Sequence, residues 1–162
     1  LAPIHVGSFY HLAFAKRVCD TFRRLQTDSP ERIVMIQGIE GQTEFRPGVS
    51  VLGIQNGDEF TDQEVRTGEI GEPFTRAQLE ELGADAETSA EALRTFFEGG
   101  SVSPAYRQSI LLNSAVKLWA GRSCENLEEG FQKAHDYWQS GEAGDYFERI
   151  NEVFSREREK AL

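Results

Sequence analysis

The stretch from Arg32 to Glu44, Arg-Ile-Val-Met-Ile-Gln-Gly-Ile-Glu-Gly-Gln-Thr-Glu, constrains the fold of this chain more than any other. Ile33 to Ile36 are consecutive large apolar residues, bounded by Pro30 and Gly38. So short and uniform a run fits a strand covered on both faces, as in a parallel sheet between helices. It breaks into a loop with Gly38 and Gly41, and with carboxylates at Glu40 and Glu44. Ligands of open α/β sheets bind outside the carboxyl ends of the strands. A glycine-punctuated loop there lets backbone approach a phosphate, and its carboxylates can hold Mg²⁺. The same residues also fit a plain strand-to-loop turn with solvated acids, and two glycines and two glutamates do not decide between these.

The flanks predict an α/β chain with a helical end. Phe14, Val18, Phe22 and Leu25 form a helical stripe within residues 8–26, with Lys16, Arg17, Arg23 and Arg24 largely off it as a solvated flank. Further strands are expected at 49–54, between Pro47-Gly48 and an Asn56-Gly57 turn, and at 64–70, a polar edge strand. Asp58, Glu59, Asp62 and Glu64 lack the spacing of a calcium loop and read as solvated. Thr75 caps a short helix ending at Gly83, and Thr88 or Ser89 caps a helix over 90–98 that Gly99-Gly100 stop. Ser103-Pro104 opens a helix reaching Gly121. Asn126, with Glu129 in the capping-box position, opens one ending at Gly141. A last helix carries Ala143, Phe147, Ile150 and Phe154, with a fraying tail over 155–162. These three helices, joined by short links, should pack as neighbours.

The chain has 162 residues, enough for one domain with a core. Its formal net charge of -10 argues against a broad nucleic-acid footprint and against an anionic membrane surface. No apolar run approaches the ~20 residues of a membrane span, and no signal-peptide pattern opens the chain. The start at Leu1, already apolar, suggests the later part of a larger protein. Cys19 and Cys124 have no metal-type neighbours; Cys19 reads as core, and a reducing, cytoplasmic setting fits.

Motifs for dinucleotides, P-loop phosphates, zinc proteolysis and the serine-hydrolase elbow are absent. His11 and His135 read as core edge or surface, and His5 falls in an irregular entry segment. Asn113, amid Leu111, Leu112 and Ala115, reads as a helix-to-loop tie rather than a ligand contact. Tyr137 and Trp138 read as packing.

Leu111-Leu-Asn-Ser-Ala-Val-Lys-Leu-Trp-Ala-Gly121, then Asn126-Leu-Glu-Glu-Gly-Phe-Gln-Lys-Ala134 and Ser140-Gly-Glu-Ala143, resembles the C-terminal helices of anthranilate phosphoribosyltransferase and its TrpD-like relatives, glycosyltransferase family 3. That family's pattern is Leu-Asn-Ala-Ala, a small-residue stop, a Leu-Glu-Glu-Gly helix start and Ser-Gly-x-Ala. Its strand-to-loop segment, His-Gly-x-Asp-Gly-Leu-Asp-Glu, is similar to Gln37-Gly-Ile-Glu-Gly-Gln-Thr-Glu44 here, and Val6-Gly-Ser-Phe-Tyr10 looks like the segment after the family's hinge. The resemblance covers about residues 5–150.

It implies that residues 1–162 are the C-terminal part of a single α/β domain of the nucleoside-phosphorylase/phosphoribosyltransferase type, a central sheet with flanking helices. It implies transfer of a phosphoribosyl group from phosphoribosyl pyrophosphate to an aromatic amine or similar acceptor, with Mg²⁺. The family's loop carries over Glu44 as metal ligand, with Gly38 and Gly41 at the substrate. Thr43 stands in place of the family's Asp and Gln37 in place of its His; a neutral hydroxyl is a poorer magnesium ligand. The family's main substrate motifs and its dimer-forming helices lie upstream, so this chain alone is expected to be inactive, and a homodimer would form through segments outside it. The alternative expectation is a non-catalytic TrpD-like paralogue serving as a nucleic-acid-binding or interaction module. A nucleoside-phosphorylase-like enzyme shares the fold, but no residue here selects it.

Overall fold

A computed structural model of the chain describes residues 3–24, 30–38, 45–80 and 85–160. The apolar run forms β2 (Arg32–Gln37), buried from Arg32 through Ile36. The strand has two apolar faces, and each meets a helix. Ile33 and Met35 face α1 (Leu12–Arg24), in a cluster with Ala15, Cys19, Val18 and Phe22. Val34 and Ile36 face α5 (Pro104–Ala120), in a cluster with Leu112, Val116 and Ala120. The expected cover on both faces is therefore present.

The sheet is mixed, however, not parallel throughout. Its order is β1-β2-β3-β4. β1 (Ile4–Phe9) lies parallel to β2, because α1 carries the chain back across the sheet between them. β3 (Val49–Asn56) follows β2 without an intervening described helix and runs antiparallel to it. β4 (Glu59–Arg66) completes a hairpin closed by the Asn56–Glu59 pair, with Gly57 at φ +56°. The turn expected at Asn56-Gly57 is thus in place, but it draws polar Glu59, Thr61 and Asp62 into the strand. The strand expected at 64–70 accordingly ends at Arg66, and a single turn, α2 (Thr67–Ile70), takes its second half.

Two segments differ from expectation for local reasons. β1 was not expected: His5, Gly7 and Ser8 interrupt any apolar alternation, and only pairing with β2 makes the segment a strand. The helix expected from residue 8 therefore begins at Leu12; residues 25 and 26 lie outside the described residues. Its buried line is Ala15 and Cys19, flanked by Val18 and Phe22. Phe14 is instead 53% exposed. Small residues sit at the centre of the line because the helix lies very close to the sheet: a Cβ on Gly53 of β3 would stand 3.1 Å from the Ala15 Cβ.

The helical half follows its caps. Thr75 and Gln78 form a reciprocal cap on α3 (Arg76–Glu80). α4 (Ala86–Phe97) starts earlier than expected. Asp85, not Thr88 or Ser89, is its N-cap: one carboxylate oxygen accepts from the Thr88 N–H at 2.8 Å and the other from its hydroxyl at 3.0 Å. Ser103 caps α5 with Pro104 behind it, and Asn126 caps α6 (Leu127–Gln139). Glu129 does reach back, to the Glu125 N–H at 2.8 Å. Gly99 and Gly141 adopt positive φ as helix stops. α7 (Glu142–Lys160) continues through the tail expected to fray, with a Glu152–Arg156 pair at 3.3 Å.

α5 packs on α6, and α6 on α7, as short links require. Trp138 secures α6 to α4: its ring stacks on Phe96 at 5.1 Å and its indole N–H donates to the Phe96 carbonyl at 2.8 Å. Asn113 ties no loop; its amide donates to the Ser109 carbonyl one turn back in α5. No helix among the described residues is long and apolar enough to cross a membrane.

Candidate functional site

β1 and β2 run parallel in register, so their carboxyl ends, Phe9 and Gln37, lie side by side. This is the sheet edge where α/β proteins place ligands. From β1 the chain leaves through Tyr10 and His11 into α1, and a Phe14 N–H to His11 carbonyl bond of 2.8 Å forms the turn. From β2 it leaves through Gly38. An antiparallel bridge joins Gly38 to Phe45, so the two ends of the glycine- and glutamate-containing loop are pinned together at this edge.

Phe45 and Gly38 are both buried, and Phe45 belongs to the core on the α5 side. Gly38 therefore closes the base of the loop. Gly41 and Glu44, with Glu40 and Thr43, lie outside the described residues. The returning strand is firmly held. The Ser50 hydroxyl donates to the Gln37 carbonyl at 2.6 Å, and both the N–H and hydroxyl of Thr67 donate to the Gly48 carbonyl, at 2.9 and 3.1 Å. These bonds fix where the loop begins and ends.

Gln37 sits at the junction of the two strand ends. Its side-chain N–H donates to the Tyr10 carbonyl at 3.4 Å, while its buried Oε1 has no partner among the described residues. A buried acceptor left unpaired beside a loop base is poised to take a donor. Tyr10 is 58% exposed and meets the His11 ring edge-on at 4.6 Å. His11 lies 6.5 Å from the Phe14 ring, over which the Arg17 guanidinium stands at 5.7 Å. An aromatic rim with a basic neighbour thus borders the strand ends. The pattern of the sequence did not single out Tyr10 and His11 together, because the strand that presents them is visible only through its pairing.

Among the described residues, no three His, Cys, Asp or Glu side chains come together as metal ligands. Glu44, the carboxylate expected to hold Mg²⁺, lies outside those residues, as do Glu40 and the neutral Thr43. The other histidines stand apart from the edge. His5 packs 4.9 Å from the Phe22 ring, and half-buried His135 lies 3.8 Å from the Asp136 carboxylate.

A separate cleft of about 340 Å³ lies between β4 with α2 and the start of α6. Glu64, Glu69, Glu125 and Glu128 give it an acidic rim, with Trp119 and Leu127 as apolar wall. It contains none of the residues expected at the site.

Residues 2–144 match the model of the glycosyl transferase family, a/b domain. The anthranilate phosphoribosyltransferase of Azospirillum brasilense is 34% identical over 135 residues, which is 83% of this chain and 36% of that protein. That of Rhodospirillum rubrum is 31% identical over 125 residues, 74% of this chain and 34% of that protein. The crystal structure of anthranilate phosphoribosyltransferase (TrpD) from Thermus thermophilus superposes with a TM-score of 0.64 at 22% identity, over 86% of this chain and 40% of that one. The chain spans about a third of the length of the curated relatives it matches. With its mixed sheet between helices and a family match running from before β1 into the start of α7, this chain belongs to the glycosyl transferase family, as a C-terminal portion of its TrpD-like a/b domain.

Proposed function

We propose that the protein to which this chain belongs transfers a phosphoribosyl group from phosphoribosyl pyrophosphate to an aromatic amine or similar small acceptor, at the carboxyl ends of β1 and β2. The observation carrying this reading is the loop pinned by Gly38 and Phe45 at that edge, in a chain of this family. In such a transfer the acceptor nitrogen bonds to the ribose C1 as its bond to pyrophosphate oxygen breaks. The chain's contribution is positioning. Ser50 and Thr67 hold the loop base still, and Gln37 offers beside it a buried amide oxygen with no partner among the described residues.

Glu44 is the loop carboxylate that would hold Mg²⁺, which supplies charge neutralisation to a departing pyrophosphate. With Thr43 beside it, the loop has fewer charged donors than the family's Asp-Glu pair, so weak Mg²⁺ affinity is part of this reading. The full-length protein, given phosphoribosyl pyrophosphate, Mg²⁺ and anthranilate, should release pyrophosphate, and Glu44→Gln should reduce that release at least tenfold. No release from wild-type protein with anthranilate removes the ancestral reaction.

A second reading is a nucleic-acid-binding module that has lost the reaction. The exposed Tyr10 and Phe14, with Arg17 over the latter, favour it, because stacking rings with a nearby cation suit unpaired bases. The net charge of -10 weighs against it. Salt-dependent retardation of single-stranded DNA or RNA by full-length protein would support it, and none at low salt would remove it.

A further inference from the structure

The core on the α5 side is left partly uncovered where β4, α2 and the start of α6 meet. Val65 of β4 and Leu127 of α6 are buried members of that core. Ile70 of α2 and Trp119 of α5 pack against it and stay half-buried. These four side chains form the apolar wall of the cleft of about 340 Å³, a volume within the range of formed ligand pockets. Regular structure builds the wall. Alternation along β4 turns Val65 inward while Glu64 and Arg66 face solvent. The Asn126 cap, accepting from the Glu129 N–H at 2.8 Å, fixes the helix start that carries Leu127. The Arg32 guanidinium stands 4.3 Å from the Trp119 ring centroid and steadies the indole, although Arg32 itself does not line the cleft.

The cleft has acid on both sides of that wall. Glu64 and Glu69 stand on one side, on β4 and α2, and Glu125 and Glu128 on the other, at the start of α6. Arg66 is the cation among the lining residues, and it is already paired with the Glu64 carboxylate at 3.0 Å. Lys133 of α6 is engaged with Glu129 at 2.7 Å and with the Ser123 carbonyl. Glu69, Glu125 and Glu128 are exposed and have no ion pair among the described residues. An apolar wall between two acidic sides complements an apolar group flanked by cations. In such a contact the buried anchor carries affinity, and the rim charges steer approach and fix register. The formal net charge of -10 acts in the same direction, favouring encounter with basic partners.

We propose that this cleft docks a basic peptide segment of a partner protein, with one aromatic or large apolar side chain against Trp119 and Leu127 and Lys or Arg on each side of it. A small diamine would answer the carboxylates but leave the apolar wall wet. A metal ion fits less well, since no three carboxylates gather as ligands among the described residues. An extended segment meets both features, because its neighbouring residues carry cations to the two sides of a central anchor. The cleft contains none of the strand-end residues assigned to phosphoribosyl transfer, so docking is a function additional to it.

The test is fluorescence anisotropy of the intact protein with the labelled peptide Arg-Lys-Trp-Lys-Arg, against Arg-Lys-Ser-Lys-Arg, which has the same charge and no anchor. At about 150 mM salt the Trp peptide should bind about tenfold more tightly than the Ser peptide. The double variant Glu69→Lys/Glu125→Lys reverses one exposed charge on each side. It should keep the wild-type thermal midpoint, bind the Trp peptide about tenfold more weakly and lose much of the salt dependence. Equal binding of the two peptides by wild-type protein overturns the proposal, and so does undiminished binding in the double variant. Displacement of the Trp peptide by spermidine at equal concentration overturns the assignment to a peptide in favour of a small polyamine. None of these outcomes depends on pyrophosphate release, so docking and the transfer reaction stand or fall separately.

Discussion

Cys19 shows how much one buried side chain can report. It is fully buried between α1 and the sheet, and that burial, with the nearby Asp20 carboxylate, raises its thiol pKa to about 11. In the unfolded chain a cysteine titrates near ~8.5. The folded pKa is therefore the higher one. Between the two values the folded state holds a proton that the unfolded state has released, so stability falls as pH rises through that window. Urea unfolding between pH 8 and 11 should show this decline, and Cys19→Ala should flatten it at the cost of a small cavity. A decline of equal slope in Cys19→Ala would assign it to other groups. The sequence already placed Cys19 in the core, since it falls within a helical apolar pattern. It could not place Phe14, because periodicity finds a stripe but not the stripe's centre. The close approach of α1 to Gly53 set Ala15 at that centre, with Cys19 one turn on in the same cluster.

Between elements, α5 and α6 make a tight joint. Gly130 of α6 faces the α5 backbone so closely that a Cβ there would stand 2.8 Å from the Ala115 carbonyl oxygen and 3.0 Å from the Cys124 sulfur. Backbone cannot step aside as a flexible side chain can. Gly130→Ala gains about 1 kcal/mol of helix propensity, but forcing the helices apart costs about 2–3 kcal/mol. A net loss of about 1–2 kcal/mol is expected in urea unfolding; a stabilised variant would show that α6 can shift freely. The sequence marked both helices by their caps, Ser103 with Pro104 and Asn126 with Glu129, because capping is local chemistry within one turn. It misplaced the start of α4, where Asp85 outcompeted two hydroxyl residues a turn later. A carboxylate can accept from both the N–H and the hydroxyl of Thr88, and that choice depends on chain geometry at 85.

For the whole molecule, the sheet divides the core in two. Ile33 belongs to the cluster under α1, while Leu112 belongs to the one under α5, on the other side of β2. Each large-to-alanine change should cost about 2–5 kcal/mol. Because no contact cluster contains both residues, the double variant should equal the sum within about 0.5 kcal/mol. A larger coupling energy in chemical denaturation would mean that strand β2 moves as its neighbours are lost, carrying one core into the other.

Local chemistry set everything that was legible along the chain: the doubly covered strand at 33–36, the helix caps, the turn at Asn56-Gly57, and the helical signature that resembles the TrpD-like family. These depend on residue type at fixed short spacing, which a linear text contains. The rest came from packing in three dimensions. Packing made a strand of Ile4–Phe9, turned β3 antiparallel, and set Tyr10, His11 and Gln37 beside the closed loop base. It also left Arg32 buried on Trp119, with no acid paired to it among the described residues. Each of these depends on pairing or burial between segments far apart in the chain. The energy of such contacts comes from what meets in space, and residue spacing along the chain does not encode that.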